Sequence, residues 1–183
     1  IFPKVIPSFL NKIKFLKDKH EYLAPLMPLA FESFNFDKYD LVISVTSEAA
    51  KGIITKPKTL HICYCLTPTR YLWSHYETYF RGPSLQAISM PVVSHLRNWD
   101  KIAAQRPDVL VAISKSVQAR IKKYYERESE IIYPPVEVNK FQILNSKFQI
   151  RKKDYYLFVS RLIPYKRADL AVDAFNKLGL HLK

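Results

Sequence analysis

The chain has 183 residues, and its 29 lysines and arginines against 16 aspartates and glutamates give a formal net charge of +13. With 48% hydrophobic and 25% charged residues it is typical of a folded protein, and no apolar run reaches the roughly 18 residues that span a membrane. Three glycines are too few for a Gly-rich repeat, and their spacing, at positions 52, 82 and 179, contains no G-x-G-x-x-G nucleotide loop. Two cysteines cannot form a disulfide scaffold, which fits a reducing compartment.

Hydrophobic patterns in the first part of the chain predict two helices and two strands. The predicted elements are a helix over residues 8–33, strands over 41–46 and 59–65, and a helix over 84–106. Phe9, Ile13 and Leu16 form one apolar stripe on the first helix, and Pro25 and Pro28 break or kink its second half. The strand over 41–46 is expected to be buried in a parallel sheet.

The second part of the chain continues this alternation. The predicted elements are strands over 109–113, 130–133 and 155–159, a helix from Ser114 to Tyr125, and a helix that begins after Pro164. The last helix is predicted to turn Leu170, Phe175 and Leu178 inward and to be capped by Gly179. Apolar strands that alternate with helices are typical of an α/β fold with a parallel sheet. The polar stretch after Pro134 predicts a first domain over 1–134, an interdomain linker over 135–153 and the start of a second domain over 154–183.

Two cations come after the predicted strand over 155–159, where ligands of open parallel sheets bind. Arg161 offers a planar fork of donors, and Lys166 offers a point charge at the opening of the next helix, whose N-terminal dipole is also positive. Together they suit a diphosphate. The alternative is that both are ordinary solvated loop charges.

The segment after the strand over 59–65 also concentrates chemistry at a strand end. It brings together a hydroxyl, a cation and two aromatic rings, from Thr67, Arg70, Tyr71 and Trp73. Aromatic rings stack on the apolar faces of sugars, and Arg70 can pair with an anion. The pattern predicts a sugar or phosphate subsite, and the alternative is a loop whose Tyr71 and Trp73 belong to the core.

His61, Cys63 and Cys65 share one face of the strand over 59–65, because side chains alternate along a strand. A structural zinc takes four ligands, usually with C-x-x-C spacing. The pattern lacks a fourth ligand, so a metal site is not expected here. The cysteines are predicted to be small buried hydrophobic residues.

The excess of positive charge favours polyanionic partners: nucleic acid, an anionic lipid surface or phosphorylated substrates. The densest basic stretch comprises Lys4, Lys12, Lys14, Lys17 and Lys19, and it predicts peripheral contact with an anionic membrane leaflet. No nucleic-acid recognition signature accompanies the charge, so nucleic acid is not the expected partner. A non-catalytic basic α/β module that binds nucleic acid or another polyanion remains the alternative to an enzyme.

Four stretches together resemble glycosyltransferase family 4, the group 1 retaining enzymes of the GT-B fold, which have two Rossmann-like domains. They are YDLVISVTSEAAKG at 39–52, HICYCLTPTRYLW at 61–73, IIYPPVEVNKF at 131–141 and YYLFVSRLIPYKRADLAVDAF at 155–175. The likeness is greatest to bacterial mannosyltransferase-like members that assemble polysaccharide and O-antigen. The order and spacing match across nearly the whole chain, and YPPV with the later SRL-x-P-x-K-R is the more specific part.

The resemblance implies a role for each candidate residue. Arg161 and Lys166 would be the catalytic residues, holding the donor's diphosphate and stabilising the negative charge that develops on it. Residues 1–134 would belong to the acceptor domain and 154–183 would begin the donor domain. The acceptor side of the cleft would be lined by Thr67, Arg70, Tyr71 and Trp73.

The resemblance also implies missing parts and one departure. Many relatives have His where this chain has Leu66, which cannot donate a hydrogen bond to a sugar. The family's first strand with its Gly-rich loop would precede Ile1, and its E-x7-E region would come after Lys183. The chain is therefore expected to be a piece of a longer protein, inactive by itself and prone to aggregate at an exposed apolar sheet edge.

The resemblance gives the parent protein an expected function. It would move a hexose, with mannose as the candidate, from a nucleoside-diphosphate sugar to a glycan or lipid-linked acceptor in cell-surface polysaccharide assembly. The sugar nucleotide would be a co-substrate, and the protein would use no cofactor. It would be cytoplasmic and peripheral at the inner face of the cell membrane.

Overall fold

The short apolar runs of the sequence form a parallel sheet in the computed structural model, which describes residues 4–13, 20–139, 154–163 and 166–183. Its strands, in chain order and in spatial order, are β1 (Leu41–Thr46), β2 (Leu60–Cys65), β3 (Val109–Ala112) and β4 (Glu130–Ile131). Each neighbouring pair is parallel. The predicted α/β class is confirmed. The strand β4 is shorter than predicted, because its neighbour β3 ends at Ala112, the partner of Ile131, and the ladder goes no further.

Helices flank this sheet. They are α1 (Met27–Glu32), α2 (Tyr76–Tyr79), α3 (Pro83–Ala103) and α4 (Lys115–Tyr125), with a further helix, α5 (Ala168–Leu178), in the last part of the chain. The predictions for α3, α4 and α5 are confirmed to within a few residues. The strand–helix alternation around a parallel sheet is Rossmann-like.

The prediction of one helix over 8–33 is wrong in the part that the structure describes. Short 3-10 helices cover Phe9–Lys12 and His20–Leu26, and only Met27–Glu32 is α-helical. Pro25 lies inside the second 3-10 helix and Pro28 in the first turn of α1, so the prolines divide the segment as their missing N–H groups require. Leu16 and the lysines at 14, 17 and 19 lie outside the described residues.

The contacts of the chain divide it into two units, Ile1–Pro134 and Pro135–Lys183. The hydrophobic core of the first unit lies between one face of the sheet and α4. Its buried residues are Cys63, Cys65, Ala104, Leu110, Ala112, Val117, Ile121 and Tyr125. Of the predicted linker, residues 140–153 fall outside the described part.

The other face of β1 is not buried. Val42, Ser44 and Thr46 face the core, whereas Leu41, Ile43 and Val45 are 49%, 59% and 60% exposed. The expectation of a fully buried strand was therefore wrong for this face. Burial alternates along β1 because, in the described part of the first unit, no helix covers its outward side chains.

The second unit differs more from the sequence prediction. Residues 155–159 form no strand: a single parallel bridge joins Tyr156 to Leu182, and Leu157 and Val159 are exposed. The apolar stripe of α5 is also largely exposed, although the ring of Phe175 contacts Tyr156 at 5.0 Å between centroids. A strand needs neighbouring strands to pair with, and the apolar stripe of a helix needs a surface to pack against. The described part of this short unit supplies little of either. Gly179 caps α5 in the left-handed region, as predicted.

Candidate functional site

The loop over residues 66–75 comes directly after β2 at the carboxyl edge of the sheet, the edge at which α/β proteins bind ligands. It begins as an extension of the ladder, since the Leu66 N–H donates to the Thr46 carbonyl at 2.8 Å. It then turns tightly: the N–H groups of Trp73 and His75 donate to the Arg70 carbonyl at 3.2 and 2.9 Å. The loop is therefore an ordered turn, and much of it is buried.

A buried carboxylate lies behind this loop. Asp100, on α3, is 1% exposed. Its Oδ1 accepts a hydrogen bond from the Thr69 hydroxyl at 2.9 Å. Its Oδ2 accepts one from the Trp73 indole N–H and one from the Tyr125 hydroxyl, both at 2.8 Å. One side chain of α3 thus binds two residues of the loop and one residue of α4.

Lys51 neutralises this carboxylate. Its Nζ lies 2.5 Å from Asp100 Oδ1, and the two side chains are 2% and 1% exposed. The ammonium also donates to the Glu48 carbonyl at 2.7 Å and to the Thr69 hydroxyl at 3.4 Å. These extra hydrogen bonds offset part of the cost of burying two charges. Burial, together with the charge of Asp100, raises the pKa of Tyr125, so its hydroxyl stays protonated and donates.

Neither Lys51 nor Asp100 was among the residues predicted for the site. The sequence does carry a signal for Asp100, because it occupies the same helical stripe as Leu96 and Ala103, which are buried. A carboxylate on the buried stripe of a helix requires a partner. The partner itself, 49 positions away, leaves no comparable local pattern.

The predicted acceptor-side residues all lie on this loop, with different exposure. Thr67 is buried, and its hydroxyl lies 3.4 Å from the Arg120 guanidinium. The Trp73 ring stacks on Tyr124 at 5.1 Å between centroids, so its N–H and its ring both have partners inside the protein. Tyr71 is partly buried, which raises its pKa, and its ring meets Tyr79 edge-on.

The rim of the loop is positively charged. Arg70 is partly exposed on the turn, and Arg120 reaches the loop from α4. Burial, and then the charges of Arg70 and Arg120, lower the pKa of His75. Guanidinium groups gathered in this way suit an anionic group such as a phosphate.

Arg161 and Lys166, the predicted diphosphate ligands, are both exposed in the second unit. Backbone hydrogen bonds of 2.9 Å join Ile163 to the Arg161 carbonyl and Lys166 to the Ile163 carbonyl, which forms a turn ahead of α5. The prediction that Lys166 opens the helix was wrong by two residues: α5 begins at Ala168. Pro164 lies outside the described residues.

Arg167 precedes α5 in the left-handed region, at φ 51°, and its guanidinium pairs with Asp169 at 2.9 Å. That carboxylate lies in the first turn of the helix, where the dipole favours negative charge. The helix terminus therefore already has one anionic side chain beside it.

His61, Cys63 and Cys65 all face the core from β2, as the alternation predicted. The cysteines are free thiols, and burial raises the pKa of Cys65 to about 12, which agrees with small buried hydrophobic residues. His61 Nε2 lies 2.9 Å from the Ser44 hydroxyl, while its Nδ1 is buried without a partner. Across the described residues, no cluster of three or more His, Cys, Asp or Glu side chains could hold a metal ion.

Two further findings concern membrane spans and the comparison with known proteins. Within the described ranges, no helix has both the length and the apolar character needed to cross a bilayer. No protein-family model, no curated protein and no solved structure matches the chain. The likeness to glycosyltransferase family 4 therefore remains a prediction from sequence motifs.

Proposed function

We propose that the chain is part of a retaining glycosyltransferase of the GT-B fold, which moves a hexose from a nucleoside-diphosphate sugar to a glycan or lipid-linked acceptor. The observation that carries the proposal is the ordered loop over 66–75 at the carboxyl edge of a parallel sheet. Sequence motifs at 131–141 and 155–175 support it, because their order and spacing resemble those of the family.

On the acceptor side, the loop offers a positive rim and a partly exposed turn. Arg70 and Arg120 would pair with a phosphate of the acceptor, and Tyr71 would contact its sugar through the exposed part of the ring. Thr67 and Trp73 would act from within the fold, since the first is buried and the second is engaged by Asp100 and Tyr124.

On the donor side, Arg161 and Lys166 would bind the diphosphate of the sugar nucleotide. Both cations are exposed, so an anion can reach them. Negative charge grows on the diphosphate as the glycosidic bond breaks, and fixed cations stabilise that charge more in the transition state than in the ground state. Such an enzyme would act at the cytoplasmic face of a membrane, where a net charge of +13 favours anionic lipid.

The test is release of nucleoside diphosphate by the full-length gene product. It would be incubated with a panel of GDP-, UDP- and ADP-hexoses, with and without a membrane extract as a source of acceptor. We expect one donor to give release that depends on the extract. The absence of release with every donor would contradict the proposal.

A second candidate is favoured by the charge of the chain. A basic α/β binding module predicts tight binding of oligonucleotides or other polyanions that weakens steeply with salt. It also predicts that sugar nucleotides have no effect. Fluorescence anisotropy of a labelled oligonucleotide over a salt series, in the same preparation, separates the two candidates.

A further inference from the structure

We propose that Asp100 is a positioning residue that fixes the loop over 66–75 in the conformation that receives the acceptor, an inference that rests on the proposed function. Asp100 is buried on α3, behind the loop, and is 1% exposed. An acceptor bound at the surface of the loop would not contact this carboxylate. Its effect would therefore pass through the residues that it binds.

The geometry of the two carboxylate oxygens supports this role. Oδ1 binds Thr69 at 2.9 Å and Oδ2 binds Trp73 at 2.8 Å, so both ends of the turn are attached to one rigid group. Arg70 and Tyr71 lie between these two attachment points. Since the carboxylate fixes both ends, the backbone that carries Arg70 and Tyr71 has little freedom.

Two residues outside the loop hold the carboxylate itself. Lys51, in the 3-10 helix Ala49–Gly52 that follows β1, binds Oδ1, and Tyr125, at the end of α4, binds Oδ2. The Tyr125 hydroxyl also accepts a hydrogen bond from the Thr69 N–H at 3.4 Å. The loop is thus connected through one side chain to the segments after β1 and β3.

The chemistry of the site requires a carboxylate. Each oxygen of Asp100 accepts from two donors, which an ionised carboxylate can do. An amide at this position would turn one acceptor into a donor and leave Lys51 without a counter-charge. Stability alone does not demand such a group, because apolar residues of similar volume often replace buried ion pairs without loss.

The test uses a variant that weakens the hold on the carboxylate and leaves the sequence of the loop intact. Tyr125→Phe removes the hydrogen bond to Asp100, together with the longer one that the hydroxyl accepts from the Thr69 N–H, and keeps the ring. Tyr124→Phe is the matched control, because Tyr124 contacts Trp73 through its stacked ring and that contact is retained. The full-length enzyme is assayed with the membrane extract as the acceptor, and the acceptor KM is the extract concentration that gives half the maximal rate. We expect Tyr125→Phe to raise this acceptor KM about tenfold, the scale for losing one hydrogen bond to a charged group.

The donor KM is expected to stay within about twofold, since the donor cations lie elsewhere in the chain, and Tyr124→Phe is expected to change neither constant. Hydrogen exchange provides a readout that does not need activity. The amides of residues 66–75 should exchange faster in Tyr125→Phe, while those of β2 and β3 stay unchanged. Thr69→Val, which removes the bond to Oδ1, should reproduce both effects if Tyr125→Phe fails to fold.

Equal acceptor KM values in the two tyrosine variants would overturn the proposal. A parallel rise of acceptor and donor KM would also overturn it, because it would reduce Asp100 to a general stabiliser. If no sugar nucleotide supports transfer, the proposed function fails separately. Hydrogen exchange then decides the positioning role: unchanged exchange over 66–75 would rule it out.

Discussion

Asp100 and Lys51 illustrate how one buried ion pair organises several segments. The pair joins α3 to the turn after β1, and its hydrogen bonds extend to Thr69, Trp73 and Tyr125. Such a pair contributes modestly when complete but becomes costly when one member is removed, because the other charge stays buried. The residues that hold the loop are therefore also residues on which the fold depends.

The first prediction concerns Lys51. Lys51→Met should lower the free energy of unfolding by about 3–5 kcal/mol, because it removes the cation that pairs with a buried carboxylate. Lys56→Met is the control, since Lys56 pairs with Asp37 at 2.8 Å where both side chains are about half exposed. That surface pair should contribute at most about 1 kcal/mol. Chemical denaturation measures both, and equal losses would argue against the buried pair.

The second prediction concerns His61, which is buried on β2. Burial lowers its pKa, only partly opposed by the charge of Asp108, so the folded state holds the neutral form. The unfolded chain takes up the proton first as the pH falls. The stability that neutral His61 provides is therefore complete above about pH 6.5, the unfolded pKa, and is lost below it.

Between pH 7.5 and 5.5 the free energy of unfolding should fall, by at most about 1.4 kcal/mol per pH unit from this one group. His61→Gln, which keeps a polar atom within reach of Ser44, should flatten that slope. His95→Gln on the exposed side of α3 is the control. A slope unchanged by His61→Gln but reduced by His95→Gln would contradict the assignment.

At the scale of elements, sequence patterns predicted secondary structure correctly where the interacting residues lie close together in the chain. The helix α4 is an example: the Ser114 hydroxyl accepts from the Val117 N–H at 3.2 Å, and Val117 and Ile121 are buried as the periodicity predicted. The strand over 155–159 is the opposite case. Its residues are strongly apolar, but a strand depends on pairing. In the described part of this unit only Tyr156 forms a bridge, and Phe158 adds one further hydrogen bond, to the Lys183 carbonyl.

In the candidate site, too, local features were predictable and long-range contacts were not. The position of the loop over 66–75 was predictable, because a loop must come after β2 at the carboxyl edge. The internal partners of Trp73 were not, since they come from α3 and α4, which are far from the loop in the chain: Asp100 is 27 positions away. Long-range hydrogen bonds depend on how helices cross the sheet, and one sequence carries little information about that crossing.

At the scale of the whole molecule, two properties bear on the proposed function. The first is the net charge of +13, which favours anionic partners of any kind and so does not distinguish the enzyme from the binding module. The second is the uncovered apolar face of β1, where Ile43 and Val45 are more than half exposed. In parallel sheets both faces are normally covered, so this face is a site of aggregation unless it is covered.

The central claim is that this protein transfers sugar from a nucleotide donor, and the most direct test is the turnover of Lys166→Ala in the full-length enzyme. We predict a loss of roughly 10²-fold or more, the scale for removing one preorganised group that stabilises developing charge. Lys177→Ala, which removes an exposed lysine from the last turn of α5, is the control and should keep full turnover. Unchanged turnover in Lys166→Ala, or equal losses in both variants, would contradict the account.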